Sequence, residues 1–173
     1  ALVSVLSHSL HYGGAVFEGI RFYKDSNDSH SVIFRLDDHI TRLLFSAETM
    51  DMKCPYTAEE LKKAVINTVR LSGLREGYIR PIVFLGEGFG LCADNVRVHA
   101  AVYVFPLQQR TEPTILCVSS LIRMHPHSTK IEAKVAGHYV NSRLPALSAR
   151  KTGADDALLL DYEGNVAETS VAN

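Results

Sequence analysis

Hydrophobic and polar residues alternate near the start of the chain and again in its middle. Between positions 16 and 23, one set of alternate positions holds Val, Glu, Ile and Phe, and the other holds Phe, Gly, Arg and Tyr. This pattern is typical of a strand with two different faces. Apolar runs rich in β-branched and aromatic residues predict further strands at 31–35, 78–85 and 98–105. The sequence GEGFG between the last two predicts a hairpin connection and not a dinucleotide-binding turn, which joins a strand to a helix.

Two stretches change to helical spacing. From Asp37 the apolar positions Ile40, Leu43, Leu44 and Ala47 predict a helix over about 37–50, with Asp37 or Asp38 as its amino-terminal cap. The sequence Thr-Ala-Glu-Glu at 57–60 is a capping box, so a second helix is expected to start there and to end at a glycine at position 73.

The second half of the chain combines strands with one helix. The sequence predicts a strand at 114–124, a helix at about 139–151 that Pro145 should kink, and a hairpin of strands 157–160 and 166–169. The polar stretch 107–113 has no periodicity and is the best interdomain linker. We therefore expect a small α/β domain at 1–106 and a second domain that begins at 114.

Composition narrows the possible functions. The chain has 173 residues, 46% of them hydrophobic and 21% charged, which is typical of a folded protein with a real core. The net charge of −1 gives no electrostatic reason to expect nucleic acid or an anionic membrane as a partner, and no apolar run is long enough to cross a bilayer. A secretory leader is not evident, and three widely spaced cysteines indicate reduced core thiols in a cytoplasmic protein.

Lys134 is the most informative candidate for chemistry. It lies among Ala133, Val135, Ala136 and Gly137, small or apolar neighbours that hydrate an ammonium poorly and favour the neutral amine. An unprotonated lysine can attack an aldehyde, so the setting suits covalent attachment of a carbonyl cofactor. The alternative is a surface lysine beside a tight turn.

The surrounding sequence resembles a known family. AKVAGHYVNS is similar to the lysine motif K-x-x-G-N-Y of the branched-chain aminotransferases, members of class IV of the pyridoxal-phosphate aminotransferases, with His138 in place of the Asn. Further matches follow in the family's order along nearly the whole chain: LHYGGAVFEGIR, FRLDDHITRL, YIRPIVFLGEGFG and GADDALLLDYEGNVAETSVAN. The resemblance implies the two-domain α/β (α+β) architecture of fold type IV. The chain would hold the small domain and the first part, 114–173, of a larger, barrel-like cofactor domain, so we expect a partial chain.

The resemblance also implies how pyridoxal 5′-phosphate is bound. Lys134 would be the catalytic residue, holding the cofactor and carrying the proton in the transfer step. Arg42 would bind the phosphate, Tyr139 the phenolic oxygen, and Glu168 would keep the ring nitrogen protonated. Taken without the resemblance, Arg42 is a solvated helix residue, Tyr139 a packed core tyrosine and Glu168 a solvated strand residue.

The substrate residues come from the first domain by the same resemblance. Tyr12, Phe17 and Gly19 would line the apolar pocket for Leu, Ile and Val, and Arg80 would take the distal carboxylate of glutamate. The implied activity is transfer of the amino group of these L-amino acids to 2-oxoglutarate by a cytoplasmic homodimer or larger homo-oligomer.

Other readings stay open. D-amino-acid aminotransferases, (R)-amine transaminases and aminodeoxychorismate lyases share the scaffold, and a truncated, non-catalytic member is a further alternative. The histidine pairs His8/His11 and His125/His127 invite a metal site, but no cysteine or acidic cluster completes a ligand set. No bound metal is therefore expected.

Overall fold

The chain divides into two units in the computed structural model, which describes residues 2–26, 30–107 and 112–172. The first unit comprises residues 1–109 and 132–136, and the second comprises 110–131 and 137–173. Residues 108–111 of the predicted linker lie outside the described residues. The boundaries expected at 106 and 114 stay predictions, whereas the segment 132–136 belongs to the first unit by its packing.

The first unit is built on a five-stranded antiparallel sheet. A short helix α1 (His8–Tyr12) precedes it and ends at Gly13, whose φ of 68° is the left-handed conformation that glycine adopts easily. Its strands are β1 (Ala15–Phe17), β2 (Ile20–Lys24), β3 (Ser31–Ile33), β4 (Gly77–Leu85) and β5 (Val98–Phe105). The connection between β4 and β5 is the predicted hairpin.

Strand β4 is central. One edge pairs with β5 along its length, and the other pairs with β1 and then with β2. The single strand predicted over 16–23 is therefore wrong in one respect, because it is interrupted at Glu18 and Gly19. The amide of Glu18 donates to the carbonyl of Pro81 at 3.0 Å, but Pro81 has no amide hydrogen to donate in return. The ladder is interrupted opposite this proline.

Two amphipathic helices cover one face of the sheet. Helix α2 (Leu36–Thr49) begins after Arg35, which has a φ of 46° and no side-chain capping bond, so the expected cap at Asp37 or Asp38 is wrong. Both aspartates instead lie in the first turn, where the helix dipole favours negative charge. Helix α3 (Ala58–Ser72) confirms the predicted capping box at Thr57 and Glu60 and the glycine stop at 73.

The core of the first unit lies between these helices and the sheet. The strands contribute alternate residues to it, as the period-two pattern predicts, and α2 and α3 contribute their apolar faces. Ala133 and Val135 of the returning segment are also part of this core. Its fully buried members include Val16, Ile20, Phe22, Ile40, Leu43, Val65, Ile79 and Val83.

The second unit contains a parallel crossover and a hairpin. Strand β6 (Leu116–Val118) pairs in parallel with β7 (Asp156–Leu160), and helix α4 (Tyr139–Lys151) makes the connection with Pro145 inside it. Strand β8 (Val166–Thr169) then pairs antiparallel with β7, which confirms the predicted hairpin. The strand predicted over 114–124 is too long, because pairing with β7 covers only 116–118.

The cysteines differ in exposure. Cys54 packs against the core of the first unit and Cys117 against the small core of the second. Cys92 is exposed, so the expectation of a core thiol is wrong at this position.

Candidate active site

An aromatic ring and two cationic side chains meet on the sheet face opposite the helices. Phe17 is paired with Ile82 across β1 and β4, and Arg80 is two residues away on the same face. The guanidinium carbon of Arg80 lies 4.2 Å from the ring centroid of Phe17, and Lys134 Nζ lies 5.4 Å from it. Three of the predicted residues are thus brought together around one ring, at distances suited to cation–π attraction.

Tyr78 and Gly19 complete this group. Arg80 Nη2 donates to the Tyr78 hydroxyl at 2.9 Å, and the Tyr78 ring packs on Phe105 with centroids 5.0 Å apart. A Cβ atom at Gly19 would lie 2.0 Å from the Tyr78 hydroxyl oxygen, so only glycine leaves room for this tyrosine. Tyr78 was missed by sequence reasoning, although its spacing of two from Arg80 on a strand was the available signal.

Arg80 retains a donor for a ligand. Its Nε atom is buried and has no hydrogen-bond partner among the described residues. A buried donor without a partner is costly in a folded protein, and an incoming carboxylate oxygen is the acceptor that a guanidinium prefers. The arrangement can therefore bind an anion next to the apolar surface of Phe17.

The backbone of Lys134 is fixed by hydrogen bonds beside β1. Its carbonyl accepts from the Phe17 amide at 3.1 Å, and its amide donates to Ser46 Oγ at 2.9 Å. Val135 forms an isolated antiparallel bridge with Val16 and is buried in the core. Because side chains alternate along an extended segment, the neighbouring Lys134 extends towards Phe17 and is half-buried.

Arg42 projects from α2 and is held by a buried carboxylate. Glu18 has no exposed surface, and its two oxygens accept from Arg42 Nε at 2.5 Å and Arg42 Nη2 at 2.8 Å. His39 Nδ1 also lies 2.8 Å from Glu18 Oε2. Burial raises the pKa of Glu18, but the hydrogen bonds from Arg42 and His39 outweigh it and hold the pKa at about 2. Glu18 is therefore an anion at neutral pH.

Ser46 links Arg42 to the Lys134 segment. Its hydroxyl donates to the Arg42 carbonyl at 2.8 Å and accepts from the Lys134 amide. Sequence reasoning assigned no role to Glu18 or Ser46. The signal for Glu18 was a carboxylate at a position of the alternation that Val16 and Ile20 assign to the core.

Tyr12 lies at the end of α1 and contacts the loop between β4 and β5. Its hydroxyl accepts from the Gly90 amide at 3.0 Å, and its ring centroid lies 6.2 Å from that of Phe89. The nearby His8 is buried, with Nε2 3.1 Å from the Gly90 carbonyl oxygen. The substrate-binding role expected for Tyr12 stays a prediction.

In the second unit Glu168 is paired with an arginine. Arg123 Nε donates to Glu168 Oε1 in a short ion pair, and Arg123 Nη1 is buried without a hydrogen-bond partner in the described part of the chain. The ion pair fixes the position of the Glu168 carboxyl group within the second unit. The role expected for Glu168 towards the cofactor stays a prediction.

Tyr139 is the first residue of α4 and lines a cavity of about 310 Å³ together with Ser142, Arg143 and Ser170. His138, which departs from the family motif, lies 2.9 Å from Thr129 Oγ1 through its Nε2 atom. Burial, with a smaller contribution from the Arg123 charge, lowers the pKa of His138 and favours its neutral form. The cofactor contact expected for Tyr139 stays a prediction.

Neither a metal site nor a membrane-spanning helix is found among the described residues. No group of three His, Cys, Asp or Glu side chains at 2–26, 30–107 or 112–172 could hold a metal ion. Over the same ranges, every helix is too short or too polar to cross a bilayer.

Comparison with known proteins identifies the family of the chain. Residues 15–173 match the model of the family described as amino-transferase class IV. The chain is 40% identical to a branched-chain-amino-acid aminotransferase of Pseudomonas aeruginosa, in an alignment that covers 100% of the chain and 58% of that protein. A probable branched-chain-amino-acid aminotransferase of Rickettsia felis is 35% identical, with 100% and 59% covered. The chain thus spans less than two thirds of the length of these relatives.

Solved structures show the same fold. The branched-chain aminotransferase of Thermoproteus uzoniensis, crystallised with norvaline, superposes with a TM-score of 0.91 at 41% identity, covering 98% of this chain and 58% of that one. The enzyme of Thermobaculum terrenum in its PLP form superposes with a TM-score of 0.86 at 30% identity, with 98% and 57% covered. These matches confirm the predicted mixed α/β fold of type IV. Since the family model matches most of the sequence, the chain belongs to the class IV aminotransferase family.

Proposed function

We propose that the protein transfers the amino group of branched-chain L-amino acids to 2-oxoglutarate with pyridoxal 5′-phosphate as cofactor. The observation that carries the proposal is the arrangement of Lys134 and Arg80 around the ring of Phe17. It places an amine that can condense with an aldehyde and a guanidinium that can bind a carboxylate beside one apolar surface. A transaminase that accepts both an apolar amino acid and an acidic one needs the amine, the guanidinium and the apolar surface together.

The residues of the first unit fit this cofactor by their chemistry. Lys134 is half-buried beside an aromatic face, and the Arg42 guanidinium is suited to a phosphate. When bound, pyridoxal phosphate supplies an electron sink for the charge left by removal of the substrate's α-proton. Lys134 Nζ would hold the cofactor's aldehyde carbon at rest, and during transfer it would move the proton at the substrate's α-carbon.

In the second unit Glu168 would hold a proton on the ring nitrogen, and Tyr139 would donate a hydrogen bond to the phenolic oxygen. The ion pair with Arg123 supports the first role, because it holds the Glu168 carboxyl group in place.

The surfaces around Phe17 indicate which parts of the substrates would bind there. A branched alkyl side chain would pack on the Phe17 ring, beside the Tyr78 side chain for which Gly19 leaves room. The distal carboxylate of glutamate would accept from the buried Nε of Arg80. One pocket can then accept both substrates in turn, since the apolar wall and the guanidinium face the same space.

Lys134→Ala tests the cofactor role. The wild-type protein should develop the visible absorbance of lysine-bound pyridoxal phosphate on titration, and borohydride reduction followed by mass spectrometry should locate the cofactor on Lys134. Lys130→Ala, which removes an exposed lysine of the preceding loop, is the matched control and should bind normally. An unchanged spectrum in Lys134→Ala, or a label on another lysine, would contradict the assignment.

Substrate assays test the rest of the proposal. The rates of L-leucine, D-alanine and (R)-1-phenylethylamine as amino donors should be compared, each with 2-oxoglutarate as the acceptor. We expect L-leucine to react fastest. Faster turnover of D-alanine or of the amine would favour the related transaminases. Cofactor binding without any turnover would favour a non-catalytic family member. Dimer formation and a cytoplasmic location stay predictions, and light scattering of the purified protein measures the first.

A further inference from the structure

The sheet face that carries Phe17 and Arg80 continues onto strand β5. Residues directly opposite each other in an antiparallel pair have side chains on the same face of the sheet. The β4 residues that face away from the helices therefore assign four β5 residues to this face, which are His99, Ala101, Tyr103 and Phe105. The partner of Tyr103 in this register is Arg80.

Side chains on this face interact across β4 and β5. The next pair along the strands joins Tyr78 to Phe105, and their ring centroids are 5.0 Å apart. Antiparallel pairs alternate in type along the strands, so pairs two residues apart are of the same type. The side chains of Arg80 and Tyr103 thus start from Cβ atoms about 4.5–5.5 Å apart. Tyr103 is a direct neighbour of the residue to which the proposed function assigns a carboxylate.

An apolar floor runs beside this pair. Phe17 is opposite Ile82, and Ile82 is opposite Ala101, so the three residues form a row across β1, β4 and β5. Because alanine has no side-chain atom beyond Cβ, the row is lowest at its β5 end. Arg80 and Tyr103 lie in the neighbouring row, so two polar side chains border one side of the apolar floor.

The order of the strands places Lys134 and Tyr103 at opposite ends of this surface. The Lys134 carbonyl accepts from the Phe17 amide on β1, β1 pairs with β4, and β4 pairs with β5. Neighbouring strands are about 4.8 Å apart, so β5 lies roughly 10 Å from β1. A substrate whose α-carbon is at Lys134 would therefore extend its far end across Phe17 towards Arg80 and Tyr103.

The Tyr103 hydroxyl is available to a ligand. The side chain is 57% exposed, and its hydroxyl forms no hydrogen bond with another residue in the described part of the chain. A tyrosine hydroxyl can donate one hydrogen bond, and a carboxylate can accept several. A carboxylate held by Arg80 could therefore also accept from Tyr103.

We propose that Tyr103 is a specificity-determining residue whose hydroxyl donates a hydrogen bond to the distal carboxylate of the amino acceptor. The proposal rests on the proposed function, which assigns that carboxylate to Arg80. A guanidinium and a hydroxyl on neighbouring strands would then bind one carboxylate, which favours a dicarboxylic acceptor. The side chains of leucine, isoleucine and valine have no acceptor for this bond, so their binding should not depend on the hydroxyl.

Two unreactive acids isolate this contact. Glutarate and 4-methylpentanoate share a carboxylate at one end of the same length of carbon chain. The other end of glutarate is a second carboxylate, and the other end of 4-methylpentanoate is an isopropyl group. Calorimetry with the natural, cofactor-loaded protein measures the Kd of each acid without turnover. A hydrogen bond to the distal carboxylate contributes only to the binding of glutarate.

Tyr103→Phe removes the hydroxyl and keeps the ring. We expect the Kd for glutarate to rise about tenfold, because a hydrogen bond to a charged group is lost. The Kd for 4-methylpentanoate should change less than about twofold, because it makes no such bond. In steady-state kinetics, KM for 2-oxoglutarate should rise by a similar factor while KM for L-leucine stays unchanged.

Tyr23→Phe is the matched control. Tyr23 lies on the same face of the sheet and is 38% exposed, but it belongs to β2 and pairs with Val32 on β3, away from Arg80. Removal of its hydroxyl should change neither Kd.

The remaining outcomes also decide. An unchanged Kd for glutarate in Tyr103→Phe, or an equal loss for both acids, would overturn the proposal, since a tyrosine that only covers the sheet does not distinguish the two acids. If Tyr103→Phe does not fold, Tyr103→Leu removes the hydroxyl from the same exposed position and should show the same loss for glutarate alone. A wild-type protein that binds neither pyridoxal phosphate nor glutarate would instead refute the proposed function, and the wild-type titrations distinguish that result.

Discussion

Replacing Gly19 by alanine should displace Tyr78 and disorder Arg80. Gly19 does not have a positive φ, so alanine is compatible with its backbone and the effect comes from the added Cβ atom. This atom would lie 2.0 Å from the Tyr78 hydroxyl oxygen and 2.8 Å from Cζ. Ordinary contact begins near 3.4 Å, so the hydroxyl must move by about 1.4 Å. The Tyr78 ring also packs against Phe105, with ring centroids 5.0 Å apart, which restricts its movement.

Two destabilising effects set the size of the expected loss of stability in Gly19→Ala. Overpacking of this kind costs about 1–3 kcal/mol, and the hydrogen bond from Arg80 to Tyr78 contributes about 1 kcal/mol. The free energy of unfolding should therefore fall by about 2–4 kcal/mol, which for a chain of this size lowers Tm by roughly 5–15 °C. Because Arg80 loses its orienting partner, KM for 2-oxoglutarate should rise about tenfold while the Kd for pyridoxal phosphate stays unchanged.

Urea unfolding and steady-state kinetics measure these effects. Gly14→Ala is the control, since its Cβ would lie 3.2 Å from His8 Nδ1 and 3.3 Å from Leu85 Cδ1, a crowding that small shifts relieve. In the double variant Gly19→Ala/Tyr78→Phe the clashing hydroxyl is absent, so part of the stability should return while KM stays high. A Gly19→Ala protein as stable as wild type, or no recovery in the double variant, would refute the steric argument.

Acidification should remove the contribution of Glu18 to stability. Because the pKa of Glu18 is about 2 rather than 4.5, the folded state is stabilised by about 3 kcal/mol above pH 4.5, and this is lost as pH falls towards 2. About 2 kcal/mol of this stabilisation should be lost by pH 3. Urea unfolding at pH 7 and at pH 3 measures the loss, which should be smaller by about 2 kcal/mol in Glu18→Gln than in the wild type. Equal losses in the two proteins would contradict the assignment. Thr57→Ala should lower the free energy of unfolding by about 1 kcal/mol, because it removes the hydroxyl that accepts from the Glu60 amide at 3.3 Å. No change in the urea midpoint would show that the capping box contributes nothing to stability.

Local patterns predicted the elements that depend on local interactions. The capping box at Thr57 and Glu60 sets the start of α3 within four residues of sequence, and the pattern of apolar positions was sufficient to place α2. The hairpin of β7 and β8 follows from its turn in the same way. These features need no information about distant parts of the chain.

Features that depend on distant partners could not be predicted. The interruption at Glu18 and Gly19 depends on Pro81, and the length of β6 depends on its parallel partner β7. The pairing of Glu18 with Arg42 joins residues 24 positions apart, so the sequence indicated the arginine and not the carboxylate that holds it. Tyr78 and Arg80 were visible as neighbours on a strand, but only the fold shows that they share a hydrogen bond and that Gly19 leaves room for the tyrosine.

The return of residues 132–136 to the first unit makes that unit discontinuous in sequence. A gene fragment that ended near residue 109 would encode every strand of the first sheet but would lack Ala133 and Val135, which fill its core. The same cut would remove Lys134 from beside Phe17. Recombination or domain swapping at a single crossover point therefore cannot transfer this half intact, and any chimera must carry both pieces of chain from the same parent.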